Sequence, residues 1–377
     1  MTDSQYVLAP NGADAESTRS PQSDLAPSAP LTHRPGCGTE EQGARPSPDR
    51  ILELSSAYWA SRTLLSAAEV GLFAALSAGP LRGDELRERL GLHPRGARDF
   101  FDALVALGFL ERDHCGYRNT PETSQYLDPG EPSYIGGMLD FHNTSMYAPW
   151  ASLTEALRTG ESQNRHKNEE DGFAAAYADP EEQKALLTAM SGFSAGSAIA
   201  IADAFPWARY ETFCDLGTAQ GMVPVQLALR HPHLRGVGFD LPQVGPIFEE
   251  FVAGHDLGSR VTFAGGDFFA DPLPEAQVYV LGHVLHDWGM DAKRSLLCRT
   301  YEALPDGGAV IVYEMLIDDD RRTNAAGLLM SLNMLVLSAA GFDYTGADCR
   351  EWMADAGFRE SYVRHLVGPE SMVVGLK

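Results

Sequence analysis

The chain has 377 residues and a net charge of −23, and 44% of its residues are hydrophobic. This length and apolar content suffice for a large core and predict more than one domain. The acidic surplus argues against a nucleic-acid partner, because binding to phosphates needs an excess of Lys and Arg.

Targeting and redox signals are sparse. We find no apolar run long enough to cross a membrane, and the N-terminus lacks the basic and apolar stretches of a signal peptide. The five cysteines are scattered and include no C-x-x-C pair. This pattern predicts a reducing cytoplasm, no membrane partner and no structural zinc.

The first part of the chain, residues 1–48, is rich in Pro, Ser, Ala, Gly and Asp. Such a stretch cannot bury enough apolar surface to offset its chain entropy. We therefore predict a disordered tail.

Residues 49–130 follow a different pattern. "RILELSSAYWASRTLLSAAEVGLFAAL" has apolar residues at helical spacing, and a helix, a turn, a second helix and a short hairpin are predicted after it. This order is typical of a winged helix, which can read DNA through its second helix. Here that helix is mostly apolar after its first turn and carries Asp99 and Asp102. It therefore favours a protein surface over a DNA duplex.

Two further regions complete the chain. Residues 131–205 are predicted to be helical and irregular, with aromatic, Met and His residues crowded in "MLDFHNTSMYAPW". Residues 206–377 alternate between strand and helix, which predicts a doubly wound α/β domain. The ligand of such a domain lies at the carboxyl ends of the strands.

Polar residues are predicted to end the successive strands of this domain. They are Asp215, Asp240, Asp267, the pair His286 and Asp287, and Glu314. Asp240 lies about twenty residues beyond a glycine turn, where an acidic side chain accepts hydrogen bonds from ribose hydroxyls. Asp267, next to Phe268, suits an adenine amine and ring.

The glycine turn itself, "DLGTAQG", differs from the pyrophosphate-binding G-x-G-x-x-G. Three acids surround it in the predicted pocket, and no Lys or Arg is placed to clamp a phosphate. The pattern therefore predicts an adenosine pocket for a cofactor that carries a sulfonium cation.

These motifs resemble the small-molecule O-methyltransferases that depend on S-adenosylmethionine, the family of caffeic-acid type and bacterial natural-product tailoring enzymes. The resemblance covers residues 50–377 and rests on "YWASRTLLSAAEVGLFAAL", "DLGTAQG", "FDLPQV", "GDFF", "HVLHDW", "ALPDGGAVIVYE", "LNML" and "WMADAGF". It implies a Rossmann-like methyltransferase domain behind a winged-helix dimerisation domain. It also implies a homodimer, S-adenosylmethionine as cofactor and a small aromatic acceptor.

The resemblance also implies a role for individual residues. His286 matches the general base, and Glu314 and Asp343 match its acidic partners. The cofactor would be bound by Asp215, Gly217, Gly221, Asp240, Leu241, Asp267, Phe268 and Trp288. The acceptor would be bound by Phe141, His142, His283, Asp287, Met330, Asn333 and Met334.

The chemistry expected of His286 follows from two ordinary pKa values. A phenol with a pKa near 10 is mostly protonated at neutral pH, and a histidine with a pKa near 6.5 can accept its proton. The sequence departs from the family pattern at Thr218 and Gln220 in the glycine turn and at Gly282, where a lysine is common. Asp343 also stands in place of a longer glutamate.

Four alternatives stay open. In the first, the enzyme methylates a carbon of an aromatic ring or an α-keto acid. In the second, His142, His283 and His286 supply ligands for a metal that assists this reaction. In the third, the chain is a ligand-sensing winged-helix regulator, and in the fourth it is a nicotinamide dehydrogenase. We expect an O-methyltransferase without a bound metal.

Overall fold

The computed structural model describes residues 46–131, 133–164, 177 and 179–377. All but the last three residues of the predicted tail, residues 1–48, lie outside these ranges. Helices and strands are numbered below over the described residues.

The N-terminal part consists of helices and one hairpin. The elements are α1 (Asp49–Glu69), α2 (Leu72–Ala75), α3 (Gly83–Arg89), α4 (Pro94–Ala106), β1 (Leu110–Asp113), β2 (Gly116–Asn119) and α5 (Pro121–Leu127). The predicted order of helix, turn, helix and hairpin is confirmed. Phe101 of α4 packs against Tyr117 of β2 with ring centroids 5.3 Å apart, so the hairpin closes the apolar core of this part.

Short helices follow and lead into one long helix. They are α6 (Gly136–Phe141), a π-helical turn (His142–Met146), α7 (Tyr147–Trp150), α8 (Leu153–Thr159) and α9 (Pro180–Ala204). One segment of α9, Leu186–Ala204, is long and apolar enough to cross a membrane, although the sequence analysis finds no such run. Ala198, Ile201 and Ala202 of this segment belong to an apolar core cluster that also contains residues of the sheet described below.

The C-terminal part is built on a seven-stranded mixed sheet. Its strands are β3 (Thr212–Leu216), β4 (Arg235–Asp240), β5 (Val261–Gly265), β6 (Val278–Gly282), β7 (Ala309–Glu314), β8 (Glu360–His365) and β9 (Ser371–Leu376). Their order is β5-β4-β3-β6-β7-β9-β8. Strands β3 to β7 are parallel, whereas β9 runs antiparallel to β7 and β8 antiparallel to β9.

Five helices lie between the strands. The first three are α10 (Met222–Arg230) between β3 and β4, α11 (Gly245–Ala253) between β4 and β5, and α12 (Met290–Ala303) between β6 and β7. The other two, α13 (Ala325–Leu337) and α14 (Gly346–Ala356), lie between β7 and β8. The central strands β6 and β7 are buried along almost their whole length, as expected for a parallel sheet that helices cover on both sides. The Rossmann-like fold predicted from the sequence is confirmed, and the strand order reverses beside β3, where such folds bind their ligands.

Two details differ from the expected strands. The stretch "AQVYVLGHVL" is extended only as far as Gly282, and His283 adopts a left-handed conformation with φ of +53°. The exposed edge strand β8 is not predicted from the sequence, because its polar composition hides its strand character. The four domain boundaries given above stay predictions.

Candidate active site

A cavity of about 1350 Å³ opens at the carboxyl ends of the parallel strands. Its wall includes the predicted residues Asp215, Gly217, Asp240, Leu241, Asp267, Phe268, Trp288, Phe141, His142, His283, Asp287, Met330, Asn333, Met334 and His286. Among the described residues that line it, none is Lys or Arg. This charge pattern fits a cationic sulfonium nucleoside and opposes a pyrophosphate.

The turn between β3 and α10 is held by side chains from two strands. The Thr218 hydroxyl donates to Oδ2 of Asp215 across 2.8 Å. The backbone N–H of Ala219 donates to Oδ2 of Asp240, also across 2.8 Å, and the N–H of Leu241 donates to Oδ1. Thr218, which replaces a glycine of the family pattern, therefore fixes the carboxylate at the end of β3.

Burial raises the pKa values of the two acids at this turn toward neutral pH. Burial raises the pKa of Asp215 to about 7, although the Thr218 hydroxyl partly offsets the rise. Burial likewise raises the pKa of Asp240 to about 6 against the two N–H donors. Both groups are thus sensitive to any positive charge that enters the cavity.

The two glycines of the turn have positive φ angles and leave room for different neighbouring side chains. Gly217 has φ of +73°, and a Cβ there would lie 2.6 Å from the Cγ2 atom of Val284. Gly221 has φ of +97°, and a Cβ there would lie 2.8 Å from the ring of Phe248. Gly221 does not line the cavity, so helix packing explains this glycine and its predicted contact with the cofactor stays a prediction.

An aromatic wall follows β5. The rings of Phe268 and Trp288 are 6.0 Å apart in an edge-to-face arrangement, and Phe269 lies 4.8 Å from Trp288. Oδ1 of Asp267 accepts the N–H of Phe269 and so fixes the start of this wall. The arrangement offers flat apolar faces next to a carboxylate, which suits a purine.

His286 lies on a 3-10 turn, Leu285–Asp287, which begins three residues after the end of β6. Its Nδ1 atom is 3.1 Å from Oδ1 of Asp343 and 3.3 Å from Oε2 of Glu314. Both carboxylates are buried behind the ring and do not line the cavity. The three predicted catalytic residues are therefore brought together at Nδ1, whereas Nε2 lies 3.7 Å from Oδ1 of Asp287.

The acids around His286 change its basicity. Burial lowers the pKa of His286, but Glu314, Asp287 and Asp343 act more strongly together and raise it to about 10. The expectation of an ordinary histidine pKa is therefore wrong, because the sequence does not show how many carboxylates converge on one ring. Burial raises the pKa of Glu314, but His286 and His283 outweigh this effect. The net result is a pKa of Glu314 below its ordinary value.

His283 shares Glu314 with His286. Its Nδ1 atom lies 3.3 Å from Oε2 of Glu314, and its Nε2 atom lies 3.5 Å from Oε2 of Glu370. One atom from each of His283, His286 and Glu314 falls within 4.8 Å of the others. The expectation of no bound metal stays a prediction. Glu370 is not predicted from the sequence, because it belongs to no motif; it lies in the turn between β8 and β9.

The opposite wall of the cavity comes from the α6–α7 region and from α13. Met330, Asn333 and Met334 of α13 line it, together with Phe141 and His142. Oδ1 of Asn333 accepts the indole N–H of Trp150 across 2.8 Å, which joins α13 to α7. Trp150 is a second residue that the sequence analysis misses, although the aromatic crowding around it was a signal.

Lys293 is the third missed residue. Its ammonium group is fully buried and donates to the carbonyl oxygens of Leu285, Trp288 and Phe342 across 2.6, 2.8 and 2.9 Å. It thereby joins the turn that carries His286 to the segment that carries Asp343. A buried lysine three residues into a helix has no distinctive spacing, so the sequence alone gives no reason to single it out.

Known proteins share this architecture. A family model described as an O-methyltransferase domain matches residues 150–359, and one described as an O-methyltransferase dimerisation domain matches residues 52–129. The structure of human N-acetylserotonin methyltransferase in complex with SAM superposes with a TM-score of 0.82 at 28% identity, covering 90% of this chain and 99% of the other.

Two of the curated relatives come from Streptomyces species. The tetracenomycin polyketide synthesis 8-O-methyl transferase TcmO of Streptomyces glaucescens is 46% identical over 88% of this chain and 97% of its own length. The N,N-dimethyltransferase OxyT of Streptomyces rimosus is 39% identical over 82% of this chain and 90% of its own length. The chain therefore belongs to the O-methyltransferase family and is an enzyme that uses S-adenosylmethionine as its cofactor.

Proposed function

We propose that this enzyme transfers a methyl group to a phenolic hydroxyl of a polycyclic aromatic natural product, with His286 as the general base. The observation that supports the base most directly is the position of its ring on the cavity wall. Asp343 and Glu314 hold Nδ1, so Nε2, which lies 3.7 Å from Oδ1 of the cavity-lining Asp287, would accept the proton of the acceptor.

The basicity of His286 suits this acceptor. Its pKa of about 10 lies close to the ordinary pKa of a phenol, so a proton can be shared between the two groups. General-base help of this kind contributes on the order of 10² to 10⁴ in rate. Asp343 and Glu314 stabilise the imidazolium that forms.

The cofactor supplies the methyl group on a positively charged sulfur. Asp240 would hold the ribose, Asp267 and the ring of Phe268 would frame the adenine, and Asp215 with Gly217 would face the methionine part. The acid-lined cavity without Lys or Arg among its described residues supports this orientation.

The size of the cavity and the relatives favour a large flat acceptor. About 1350 Å³ exceeds the several hundred Å³ of a common small-ligand site, which leaves space for an acceptor of several rings beside a nucleoside. TcmO is named for polyketide synthesis. Met330, Met334 and Phe141 give the adaptable apolar wall that such an acceptor needs.

The assembly is part of the proposal. Ile51, Leu54 and Trp59 of α1 are 72, 75 and 65% exposed, and the family model for dimerisation covers this helix. A helix with so many exposed apolar side chains needs a partner surface. We infer a homodimer that works in the cytoplasm without nucleic acid or membrane.

Calorimetry and a turnover assay test the proposal. Titration of the enzyme with S-adenosylmethionine should give saturable heat. Polycyclic phenols should give products heavier by one CH2 unit, because a methyl group replaces the phenolic proton. His286→Ala should bind the cofactor as before and lose at least 100-fold in kcat. Turnover within a few fold of wild type would show that His286 is not the base.

A nitrogen or carbon acceptor is the second candidate. The name of the relative OxyT, an N,N-dimethyltransferase, favours nitrogen, and the polar wall around His283 leaves carbon open. A ¹³C-labelled methyl donor distinguishes the three outcomes, because the chemical shift of a methyl group depends on whether oxygen, nitrogen or carbon carries it. An O-methyl signal supports the first proposal, and either other signal replaces it.

A further inference from the structure

Tyr313 of β7 lines the cavity, although the proposed mechanism does not use it. It is paired in register with Gly282 of the neighbouring strand β6. A Cβ atom at position 282 would lie 2.0 Å from Cε1 and Cζ of Tyr313 and 2.2 Å from its hydroxyl oxygen. Because Gly282 has no side chain, the Tyr313 ring has the space to lie across β6.

The hydroxyl end of this ring reaches toward β3 and α9. Strand β6 lies between β7 and β3 in the sheet, so a ring that crosses β6 points to the end of β3. Burial raises the pKa of the Tyr313 hydroxyl, the negative charge of Asp215 raises it further, and the nearby Ser194 side chain lowers it. The hydroxyl therefore keeps its proton at neutral pH and can donate a hydrogen bond.

Two serine hydroxyls of α9 belong to the same part of the cavity. Ser191 and Ser194 are three residues apart, so they lie on the same face of the helix, and both line the cavity. Ser191 is 6% exposed, and its Oγ atom has no hydrogen-bond partner within the described part of the chain. A buried hydroxyl without a partner is costly, and a ligand atom in the cavity would supply that partner.

The groups at this end of the cavity identify the chemistry that they would bind. Ser191, Ser194 and Tyr313 offer hydroxyl donors, and Asp215 offers a carboxylate acceptor. An α-amino acid carries the complementary pair, a carboxylate that accepts several hydrogen bonds and an ammonium group that donates them. Since the described cavity residues include no Lys or Arg, the ligand carboxylate would depend on neutral donors such as these.

We propose that Tyr313, Ser191 and Ser194 bind the amino-acid end of S-adenosylmethionine, their hydroxyls donating to its carboxylate while Asp215 accepts from its ammonium group. Gly217, at the start of the glycine turn, lines the same cavity. The site holds the donor at the end opposite the adenine and so directs its sulfur toward the acceptor. The inference rests on the cofactor orientation given under the proposed function.

Two ligands that differ at the amino-acid end test this site. S-adenosylhomocysteine carries the amino acid, whereas methylthioadenosine has a methyl group in its place, and both have a neutral sulfur on the same nucleoside. In calorimetry, Tyr313→Phe and Ser191→Ala should each weaken the binding of S-adenosylhomocysteine about tenfold, the effect of one hydrogen bond. The affinity for methylthioadenosine should stay within about twofold of wild type, since it lacks the group that these hydroxyls bind.

Matched controls separate the site from general effects of the substitutions. Ser197 lies on the same helix and its Oγ atom is also buried without a partner among the described residues, but it does not line the cavity. Ser197→Ala should therefore leave both affinities unchanged. Tyr362→Phe, which removes a hydroxyl from an exposed tyrosine of β8, should do the same.

Three results would overturn the proposal. Unchanged binding of S-adenosylhomocysteine in both Tyr313→Phe and Ser191→Ala would show that the hydroxyls do not contact the ligand. Equal losses for the two ligands would indicate a change in the shape of the cavity. A higher KM for the phenol with unchanged binding of S-adenosylhomocysteine would assign the Tyr313 hydroxyl to the acceptor.

Asp240→Asn distinguishes a failure of this site from a failure of the proposed orientation. Asp240 would hold the ribose that both ligands share, so this variant should weaken both. If Asp240→Asn weakens both while Tyr313→Phe and Ser191→Ala weaken neither, only the amino-acid site is rejected. Unchanged affinities for both ligands in all three variants would reject the orientation itself.

Discussion

The ammonium group of Lys293 donates to the carbonyl oxygen of Phe342 across 2.9 Å and lies 4.0 Å from the centre of its ring. The contact joins the start of α12 to the segment that carries Asp343. Since the same ammonium also holds Leu285 and Trp288, on either side of His286 and Asp287, it fixes both halves of the His286–Asp343 pair.

Lys293→Met should therefore destabilise the enzyme. The change keeps the apolar stem but leaves three carbonyl oxygens, one buried and two part-buried, without their donor. Each unpaired buried group costs about 1–3 kcal/mol. Chemical denaturation should show a loss of about 2–4 kcal/mol, allowing for local relaxation. Lys184→Met, at an exposed position of α9, is the control and should stay within about 0.5 kcal/mol of wild type. A stable Lys293→Met variant would contradict the role of this ammonium.

The pH profile should report the raised pKa of His286. A general base must be neutral, so kcat/KM should rise with pH and level off only above pH 8, toward the pKa of about 10. Asp343→Asn removes one negative charge beside Nδ1, which should move this limb to lower pH. Asp355→Asn, an exposed change in α14, should not move it. A wild-type limb near pH 6.5 would be inconsistent with the three carboxylates acting on this ring.

The cofactor should bind in a pH-dependent way. Asp215 and Asp240 lose their protons as the pH rises through about 7 and about 6, so negative charge accumulates in the cavity between pH 5 and 8. The affinity for S-adenosylmethionine relative to its demethylated product, whose sulfur is neutral, should increase over this range. Calorimetry with both ligands checks it, and Asp240→Asn should weaken the trend while the exposed control Asp320→Asn leaves it intact. A constant ratio would argue against carboxylates near the sulfur.

Asn333 should affect the acceptor rather than the cofactor. Asn333→Leu removes the acceptor of the Trp150 N–H and a polar atom from the cavity wall. We expect KM for the phenol to rise about tenfold, the effect of one hydrogen bond of roughly 1.4 kcal/mol, with an unchanged dissociation constant for the cofactor. Trp150→Phe should add little in the Asn333→Leu background, because both changes break the same contact. Equal and additive effects would show that the two residues act independently.

The assembly should depend on α1. Leu54→Glu together with Trp59→Glu places two charges among exposed apolar side chains, which should raise the dimer dissociation constant at least 100-fold. Light scattering after size exclusion should then report a monomer. Glu53→Lys, an exposed polar change on the same helix, serves as the control. A dimer that survives the double change would locate the interface elsewhere.

Strong local patterns in the sequence predict much of this molecule. The turn "DLGTAQG" and the strand "GVGFD" predict the site of Asp215 and Asp240, because apolar runs that end in an acid mark strand ends in a parallel sheet. The motif "HVLHDW" likewise predicts the position of His286. These features depend on a few neighbouring residues and on the direction of the strands.

The remaining features depend on contacts between distant segments. Glu370 and Lys293 act through packing that joins the β8–β9 turn and α12 to the catalytic strand, and no local period marks either residue. The pKa of His286 depends on Glu314, Asp287 and Asp343 together, so its value could not follow from the motif alone. The left-handed backbone of His283 is equally hidden, since its sequence continues an apolar strand without a break.

The acid-lined cavity has a consequence for the order of events in turnover. Before transfer, its carboxylates have a permanent positive charge nearby to offset their burial, and the folded enzyme should resist heat best in this state. After transfer the sulfur is neutral, and the same carboxylates face one another without that compensation. The folded protein is therefore more stable with the methyl donor bound than with the demethylated product, which favours exchange of the product for a new donor molecule. The negative charge that attracts the donor thus also favours turnover in the direction of methyl transfer.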